Sequence, residues 1–189
     1  MRKLTLFFAS LLVLATFAAN ASPIVEFRPG TQAVTVGNTV AVDVYVTGLQ
    51  GQLVGAYDLS VGWDAGLLAF SSVIFDFYLD SPLSIQNSTA GAGEVNVSEV
   101  SLDVLTNQIG LSEFRLFGLT FTAIAAGTSP LSFLSGGLLS DFFGDAIEFS
   151  TTAGSITIKA PEQSVPEPGT LALLGFGLAG LGLSRRRKA

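Results

Sequence analysis

The chain has 189 residues and contains no histidine and no cysteine, which removes Ser–His and Cys–His nucleophilic sites and the usual zinc and copper ligand sets. Residues 22–164 contain fourteen acidic and three basic residues, a net charge of −11. Such a surface repels phosphate groups and argues against nucleic-acid binding. This segment has the length of one domain, and without disulfides its stability must come from a core.

The first residues have the pattern of a secretory signal peptide. Two basic residues precede an apolar run from residue 4 to residue 17. Ala19 and Ala21 then supply the small side chains expected at a cleavage site. We therefore predict a signal peptide at residues 1–21 and an exported mature chain.

Apolar and polar residues alternate with a period of two through residues 22–160, as is typical of half-buried β-strands. Val40, Val42, Val44 and Val46 show this pattern, and turn signals separate the alternating segments at short intervals. The pattern predicts an all-β domain, an antiparallel β-sandwich without helices. The predicted strands lie at 24–27, 34–36, 40–46, 57–63, 67–74, 95–102, 117–123, 131–134, 146–149 and 156–158, with a predicted turn at 127–130.

Four segments, in this order, resemble a cohesin domain over residues 24–158. They are GNTVAVDVYVTGL, GAYDLSVGWDAGLLAFSSV, FRLFGLTFTAIAAGTSPLSF and TTAGSITI. The resemblance implies a jelly-roll β-sandwich of about nine strands. It also implies binding, through one face of the sandwich, to dockerins, the calcium-loaded modules of polysaccharide-degrading enzymes. Residues 69–93 do not align with the family, and no contact residue can be carried over.

Two groups of carboxylates lie among aromatic residues and are the candidates for chemistry. They are Asp76 with Asp80, and Asp141 with Asp145 and Glu148. Either group could supply the acid pair of a glycosidase, and the second could supply oxygen ligands for calcium, although its spacing differs from that of a calcium loop. The alternative is that the acids are solvated and the neighbouring rings are core or loop anchors. These rings are Phe75, Phe77, Phe142, Phe143 and Phe149.

Trp63 is the single tryptophan of the chain and continues the buried positions of the predicted strand 57–63. An exposed tryptophan could offer a platform for a sugar ring. Its place in the alternation instead predicts that Trp63 packs in the core.

The last residues combine three parts in a fixed order after a short linker at 161–164. A proline-framed motif comes first, an uncharged apolar run follows, and a basic tip ends the segment. The motif is Val165, Pro166, Glu167 and Pro168, and the tip is Arg185, Arg186, Arg187 and Lys188. As a helix the apolar run spans roughly 25 Å, less than the roughly 30 Å of a bilayer core, which suits a segment held only transiently in a membrane.

This arrangement at residues 165–189 is similar to the PEP-CTERM sorting signal. The resemblance implies a Gram-negative bacterium in which an exosortase of the inner membrane cleaves near the motif and delivers the protein to the cell surface or extracellular matrix. Glu167 and its two neighbouring prolines are the residues that this enzyme would recognise. A single-pass tail anchor is the alternative interpretation of the same apolar run.

The sequence therefore predicts an exported, exosortase-processed binding module that is not an enzyme and needs no cofactor. Its partner would be a polysaccharide or a dockerin-like protein. Two alternatives stay open, a structural protein of the biofilm matrix without a discrete ligand and a carboxylate-dependent glycosidase.

Overall fold

The computed structural model describes residues 22–79, 84–102 and 104–162, and beyond them residues 169, 173–176 and 178. Within this part, the domain forms β-strands joined by turns, loops and a 3-10 helix at Thr106–Gln108. The strands are β1 (Ile24–Arg28), β2 (Thr31–Thr35), β3 (Thr39–Thr47), β4 (Ala56–Gly62), β5 (Leu68–Phe75), β6 (Ile85–Ala90), β7 (Glu94–Val100), β8 (Glu113–Ala123), β9 (Gly127–Phe133), β10 (Leu138–Ser140), β11 (Ser150–Thr152) and β12 (Gly154–Lys159).

These strands form two sheets. The first contains five strands in the order β11-β1-β3-β8-β5. The second contains seven, in the order β2-β12-β9-β4-β7-β6, with β10 also paired to β4. Most neighbours are antiparallel, but β1 pairs with β11, and β12 with β2, in parallel. The chain changes sheets between β1 and β2, at Pro29 and Gly30.

The alternation in the sequence decides which side chains fill the core. Val40, Val42, Val44 and Val46 of β3 are each at most 7% exposed, while the residues between them face outwards. Side chains of the seven-stranded sheet, among them Tyr57 of β4, close the core from the other side. Full burial of each such side chain contributes about 1.5–3 kcal/mol, and this core is the main source of stability in a domain without disulfides.

The predicted β-sandwich is confirmed, but two details of the prediction are wrong. The described residues contain twelve strands rather than about nine, because β6, β10 and β11 are additional to the segments predicted from the alternation. The sandwich is also not purely antiparallel, since β11 and β2 run parallel to their neighbours.

Two segments of the sequence were assigned to the wrong local structure. Residues 127–130, predicted as a turn, begin β9, and Pro130 lies in this strand opposite Ser155. Residues 146–149, predicted as a strand, form a loop except for a single bridge between Ala146 and Ser140. Residues 127–130 are a strand because they pair with β12, whereas residues 146–149 lack strand partners apart from the one bridge, so local propensity alone does not decide the backbone conformation.

An ionic cluster covers part of the outer face of the five-stranded sheet. Arg28 donates two parallel hydrogen bonds to the Glu113 carboxylate, of 3.0 and 2.9 Å, and a third of 2.8 Å to Glu26. Its guanidinium lies 4.5 Å from the centroid of the Tyr45 ring. Hydrogen bonding to Arg28 lowers the pKa of Glu113, and the same bonds raise the pKa of Arg28. The cluster therefore ties β1 to β3 and to the start of β8.

Candidate binding face

The outer surface of β10, β4, β7 and β6, called here the candidate face, is formed by the second sheet. Directly opposed residues of an antiparallel pair point to the same side, so the register identifies its members. Tyr57, Leu59 and Val61 of β4 are buried, which places the residues between them on the outside. The outward residues are Ala56, Asp58 and Ser60 of β4, Asn96, Ser98 and Val100 of β7, Ile85, Asn87 and Thr89 of β6, and Leu138 of β10.

Three apolar side chains of this face are exposed. Val100 is 41% exposed and lies opposite Ile85, which is 60% exposed. On its other side Val100 lies opposite Ala56, and Leu138, 47% exposed, lies opposite the nearby Asp58. Ile85, Val100 and Ala56 lie side by side across β6, β7 and β4, and Leu138 of β10 lies diagonal to Ala56. Together these four side chains are called the apolar row, at the end where β4 begins. Exposed apolar groups gathered on one sheet face are typical of an interaction surface.

Polar groups adjoin this row on the same strands. The Asn96 amide donates hydrogen bonds to the Asp58 carboxylate and to the Ser60 hydroxyl, the latter at 3.1 Å. These bonds fix the Asp58 carboxylate across β4 and β7. A carboxylate accepts several hydrogen bonds, so a held Asp58 can also receive donors from a bound protein. An apolar centre with a hydrogen-bonding rim is the usual composition of a protein interface.

A buried carboxylate supports the candidate face from beneath. Glu99 is fully buried and accepts a hydrogen bond of 3.0 Å from the Tyr57 hydroxyl and one of 2.9 Å from the Gln86 amide. Burial, and then the charge of Glu99, raise the pKa of Tyr57. From the sequence, Glu99 was counted in the net charge but was not singled out as a buried residue. The alternation of β7 could have indicated that Glu99 is buried, because Glu99 follows the buried Val95 and Val97 at every second position.

A loop beside the apolar row contains one of the predicted carboxylate groups. The Asp141 carboxylate accepts hydrogen bonds from the backbone N–H groups of Phe143, at 2.8 Å, and Asp145, at 2.9 Å. The loop crosses directly over Gly55, where a Cβ atom would lie only 2.8 Å from the Cα atom of Phe142. Asp141 thus holds its own loop, and Gly55 is required for the close approach of two backbones.

The structure does not support a metal site in this loop. In the described ranges, no group of three or more acidic side chains is arranged so that it could hold a metal ion. The predicted calcium ligands Asp141, Asp145 and Glu148 therefore do not come together as a ligand set. Asp141 and Asp145 interact through the backbone of the loop instead.

The other predicted carboxylate group also has a structural partner. Asp76 accepts a hydrogen bond of 2.6 Å from Arg115, which also pairs with Asp43 at 3.0 Å. These contacts raise the pKa of Arg115. Asp80 lies outside the described residues, so the predicted pair is not tested. Asp76 itself joins the end of β5 to β8.

The aromatic residues were predicted only in part. Phe75 and Phe149 pack against the core as expected, and Trp63 packs edge to face on Phe121 at 5.1 Å while its indole N–H donates to the Leu68 carbonyl. Three other rings do not pack in the core, because the loops leave them exposed. They are Phe77 at 57%, Phe142 at 48% and Phe143 at 85% exposed.

A depression of about 380 Å³ opens at the end of the sandwich where β4 begins, between Pro23, Leu49 and Ile147. Glu148 is the one charged residue among those described around it. One carboxylate cannot supply the two acidic groups that glycoside hydrolysis needs. The depression therefore does not favour the glycosidase alternative.

The predicted sorting residues cannot be located in the structure. Ala19 and Ala21, the motif at 165–168 and the basic tip at 185–188 all lie outside the described residues. Of the apolar run, residues 173–176 and 178 are helical. No helix within the described part of the chain is long and apolar enough to span a membrane.

Comparison with known protein families gives two matches. A model of the cohesin domain matches residues 25–158, and a model of the PEP-CTERM protein-sorting motif matches residues 164–188. Both resemblances inferred from the sequence are thereby confirmed. Comparison with curated proteins finds no significant match.

Solved structures with a similar fold are cohesins. A cohesin from Clostridium thermocellum, in a type I cohesin–dockerin complex, aligns with a TM-score of 0.63 and 14% identity over 73% of this chain and 99% of its own. A non-cellulosomal cohesin from the archaeon Archaeoglobus fulgidus aligns with a TM-score of 0.59 and 18% identity over 75% and 94%. A cohesin from Clostridium acetobutylicum aligns with a TM-score of 0.59 and 22% identity over 74% and 92%.

Proposed function

The chain belongs to the cohesin family, and we propose that it is an exported, non-catalytic binding protein that holds a dockerin-like protein against its candidate face. The observation that carries this proposal is the row of exposed apolar side chains Ile85, Val100 and Leu138, bordered by the fixed polar pair Asp58 and Asn96. A sheet surface of this composition suits a protein partner with its own apolar centre.

The way the candidate face is held in place agrees with this role. Its strands are held from beneath by the buried Glu99 and Tyr57, and beside them by the loop fixed through Asp141 and Gly55. A rigid surface loses little conformational entropy on binding, which favours affinity. The Clostridium thermocellum relative was solved as a complex with a dockerin, which supports the same class of partner for this chain.

The test is a comparison of two equally disruptive substitutions on opposite faces. Leu138→Asp places a charge in the apolar row, whereas Ile74→Asp changes an exposed isoleucine of β5 on the five-stranded sheet. Binding to a panel of purified calcium-loaded dockerin modules is measured by titration calorimetry. We expect Leu138→Asp to weaken binding at least about tenfold and Ile74→Asp to leave it within about twofold, because burying an unpaired charge at the centre of an interface costs more than 1.4 kcal/mol.

Several outcomes would contradict this assignment. Equal losses in both variants, or no binding to any dockerin, would exclude the candidate face as a dockerin site. Saturable binding to one polysaccharide on a glycan array would favour a carbohydrate partner, and unsaturable adhesion would favour a structural protein of the matrix.

We propose further that the terminal segments direct the protein to the surface. The PEP-CTERM match supports export and surface sorting, with Glu167 and its flanking prolines as the recognition motif and the basic tip from Arg185 to Lys188 as the cytoplasmic stop. Ala19 and Ala21 would define the cleavage site of the signal peptide. An exosortase would then cleave near residue 168.

The intact mass of the protein recovered from the cell surface and medium tests this processing. We expect a chain that lacks residues 1–21 and the segment after roughly residue 168. A mass that still includes the basic tip would mean that the protein stays anchored in the membrane. Additional mass on the processed chain would identify what is attached to it.

A further inference from the structure

β6 is an uncharged strand at the edge of the seven-stranded sheet. Among the described strands its one hydrogen-bonded neighbour is β7, and all six of its residues, IQNSTA, are exposed. Edge strands of soluble proteins are usually protected by charges, prolines, bulges or short length, because their free backbone groups can pair with another chain. β6 carries no charge, no proline and no register shift in its pairing with β7.

The hairpin that joins β6 to β7 determines which backbone groups point outwards. The Gly91 N–H donates to the Glu94 carbonyl at 2.8 Å, so these two residues form a hydrogen-bonded pair. Such pairs alternate along an antiparallel ladder. In the observed register Asn87 therefore bonds to Ser98, while Gln86, Ser88 and Ala90 direct their N–H and C=O groups away from β7.

Among the described strands, the other edge strands have the protection that β6 lacks, and β10 is one of them, with only three residues. β5 has a register shift between Phe70 and Ser72, which interrupts the edge. β11 is only three residues long. β2 is tied to the opposite sheet, because the Gln32 amide donates a 3.0 Å hydrogen bond to the Ala41 carbonyl of β3. Pairing with another chain is thus left to β6.

We propose that β6 pairs in antiparallel orientation with β6 of a second copy of this chain, joining two seven-stranded sheets into one. The outward backbone N–H and C=O groups of the two copies can bond to each other when the two-fold axis passes between the two Ser88 residues. Each Gln86 is then bonded to Ala90 of the other copy. On the outer side, Asn87 then lies opposite Thr89. No charged residues oppose each other in this register, which suits a strand that pairs with itself.

The distribution of charge disfavours contact between two copies elsewhere than at this uncharged edge, and it gives the dimer a distinctive salt dependence. The mature domain carries a net charge of −11, so two copies repel each other over most of their surfaces. The uncharged edge is where they can approach most closely. Because salt screens the repulsion between the acidic surfaces and leaves the backbone hydrogen bonds intact, the dimer should strengthen with salt. A strand from a basic partner would instead be released by salt.

The experiment is sedimentation velocity of the purified exported protein over a series of concentrations at low and high salt. We expect a monomer–dimer equilibrium whose dissociation constant falls as salt rises. Ser88→Pro removes an outward N–H that β7 does not use, and should raise this constant at least about tenfold. Ser88→Ala keeps the N–H and is the matched control, which we expect to dimerise as the wild type does.

A second variant keeps the test decisive if proline disturbs the fold. Ser88→Lys places two like charges opposite each other at the two-fold axis and should also dissociate the dimer. Melting temperatures identify any variant that fails to fold. A wild-type protein that is monomeric at every salt concentration, or a dimer that survives both Ser88→Pro and Ser88→Lys, would overturn the proposal. Neither measurement involves a dockerin, so this proposal and the proposed function can fail separately.

Discussion

At the scale of single residues, Glu99 is the unusual group of this domain. It is a fully buried carboxylate in a sheet whose other inward side chains on β7 are valines. A charge buried without hydrogen bonds would cost far more than a neutral polar group. The Tyr57 hydroxyl and the Gln86 amide supply such bonds, from β4 and β6 on the two sides of β7. Glu99 therefore links the three strands of the candidate face.

Removing the Tyr57 hydroxyl should destabilise the fold, because the buried Glu99 carboxylate then lacks one of its hydrogen-bond donors. Tyr57→Phe keeps the ring in the core but takes one donor from Glu99, and we expect it to lower the free energy of unfolding by about 1–3 kcal/mol. Urea denaturation measures this change. Tyr45→Phe, at a half-buried ring on the opposite sheet, is the control and should change stability by less than about 0.5 kcal/mol. Equal losses in both variants would mean that the Glu99 hydrogen bond contributes little.

At the scale of elements, the sequence predicts those strands whose burial alternates. β3, β4 and β8 were located to within a few residues, because each buries one face against the core and its apolar residues repeat every second position. β6 was missed. Its sequence, IQNSTA, has no apolar alternation, and it becomes a strand through its pairing with β7. Pairing with a distant segment leaves no local signal.

The candidate face also could not be predicted from local sequence. Leu138 and Val100 lie far apart in the sequence, and each alone is an ordinary exposed apolar residue. They come together because β10 and β7 pair with the same strand, β4. The carboxylates among phenylalanines were the candidates for chemistry in the sequence. In the structure Asp141 holds its loop and Asp76 joins two strands. Local composition could not reveal this, because the partners are backbone groups and the distant Arg115.

At the scale of the whole molecule, the register places the apolar row and the end of β12, the last strand of the domain, at opposite ends of the sandwich. β12 ends at Lys159, next to Thr35, beyond the end of β4 that contains Gly62. The apolar row lies where β4 begins, next to Ala56. A chain attached through its C-terminal segment would therefore present this end of the candidate face away from the attachment point, where a large partner has room to bind.

The charge balance of the whole molecule sets how its stability responds to acid. Lowering the pH neutralises carboxylates and so relieves repulsion among the fourteen acids of residues 22–164. It also protonates Glu113, whose ion pair with Arg28 lowers its pKa in the folded state. A group with a lowered folded pKa stabilises the fold above its unfolded pKa, about 4.3 for glutamate, and loses this contribution as the pH falls through the folded value. The two effects have opposite signs, so a comparison of variants is needed to separate them.

Glu113→Gln separates the two effects. At pH 7 the wild type should melt at a higher temperature than Glu113→Gln, because the variant has lost the paired carboxylate. This difference should shrink as the pH falls below about 4.3 and vanish once Glu113 is protonated in both states. Glu148→Gln removes one exposed acidic charge away from the Arg28 cluster and should melt slightly higher than the wild type at pH 7, because repulsion among the acidic groups is reduced. A difference between wild type and Glu113→Gln that stays constant from pH 7 to pH 3 would show that the ion pair with Arg28 does not stabilise the fold.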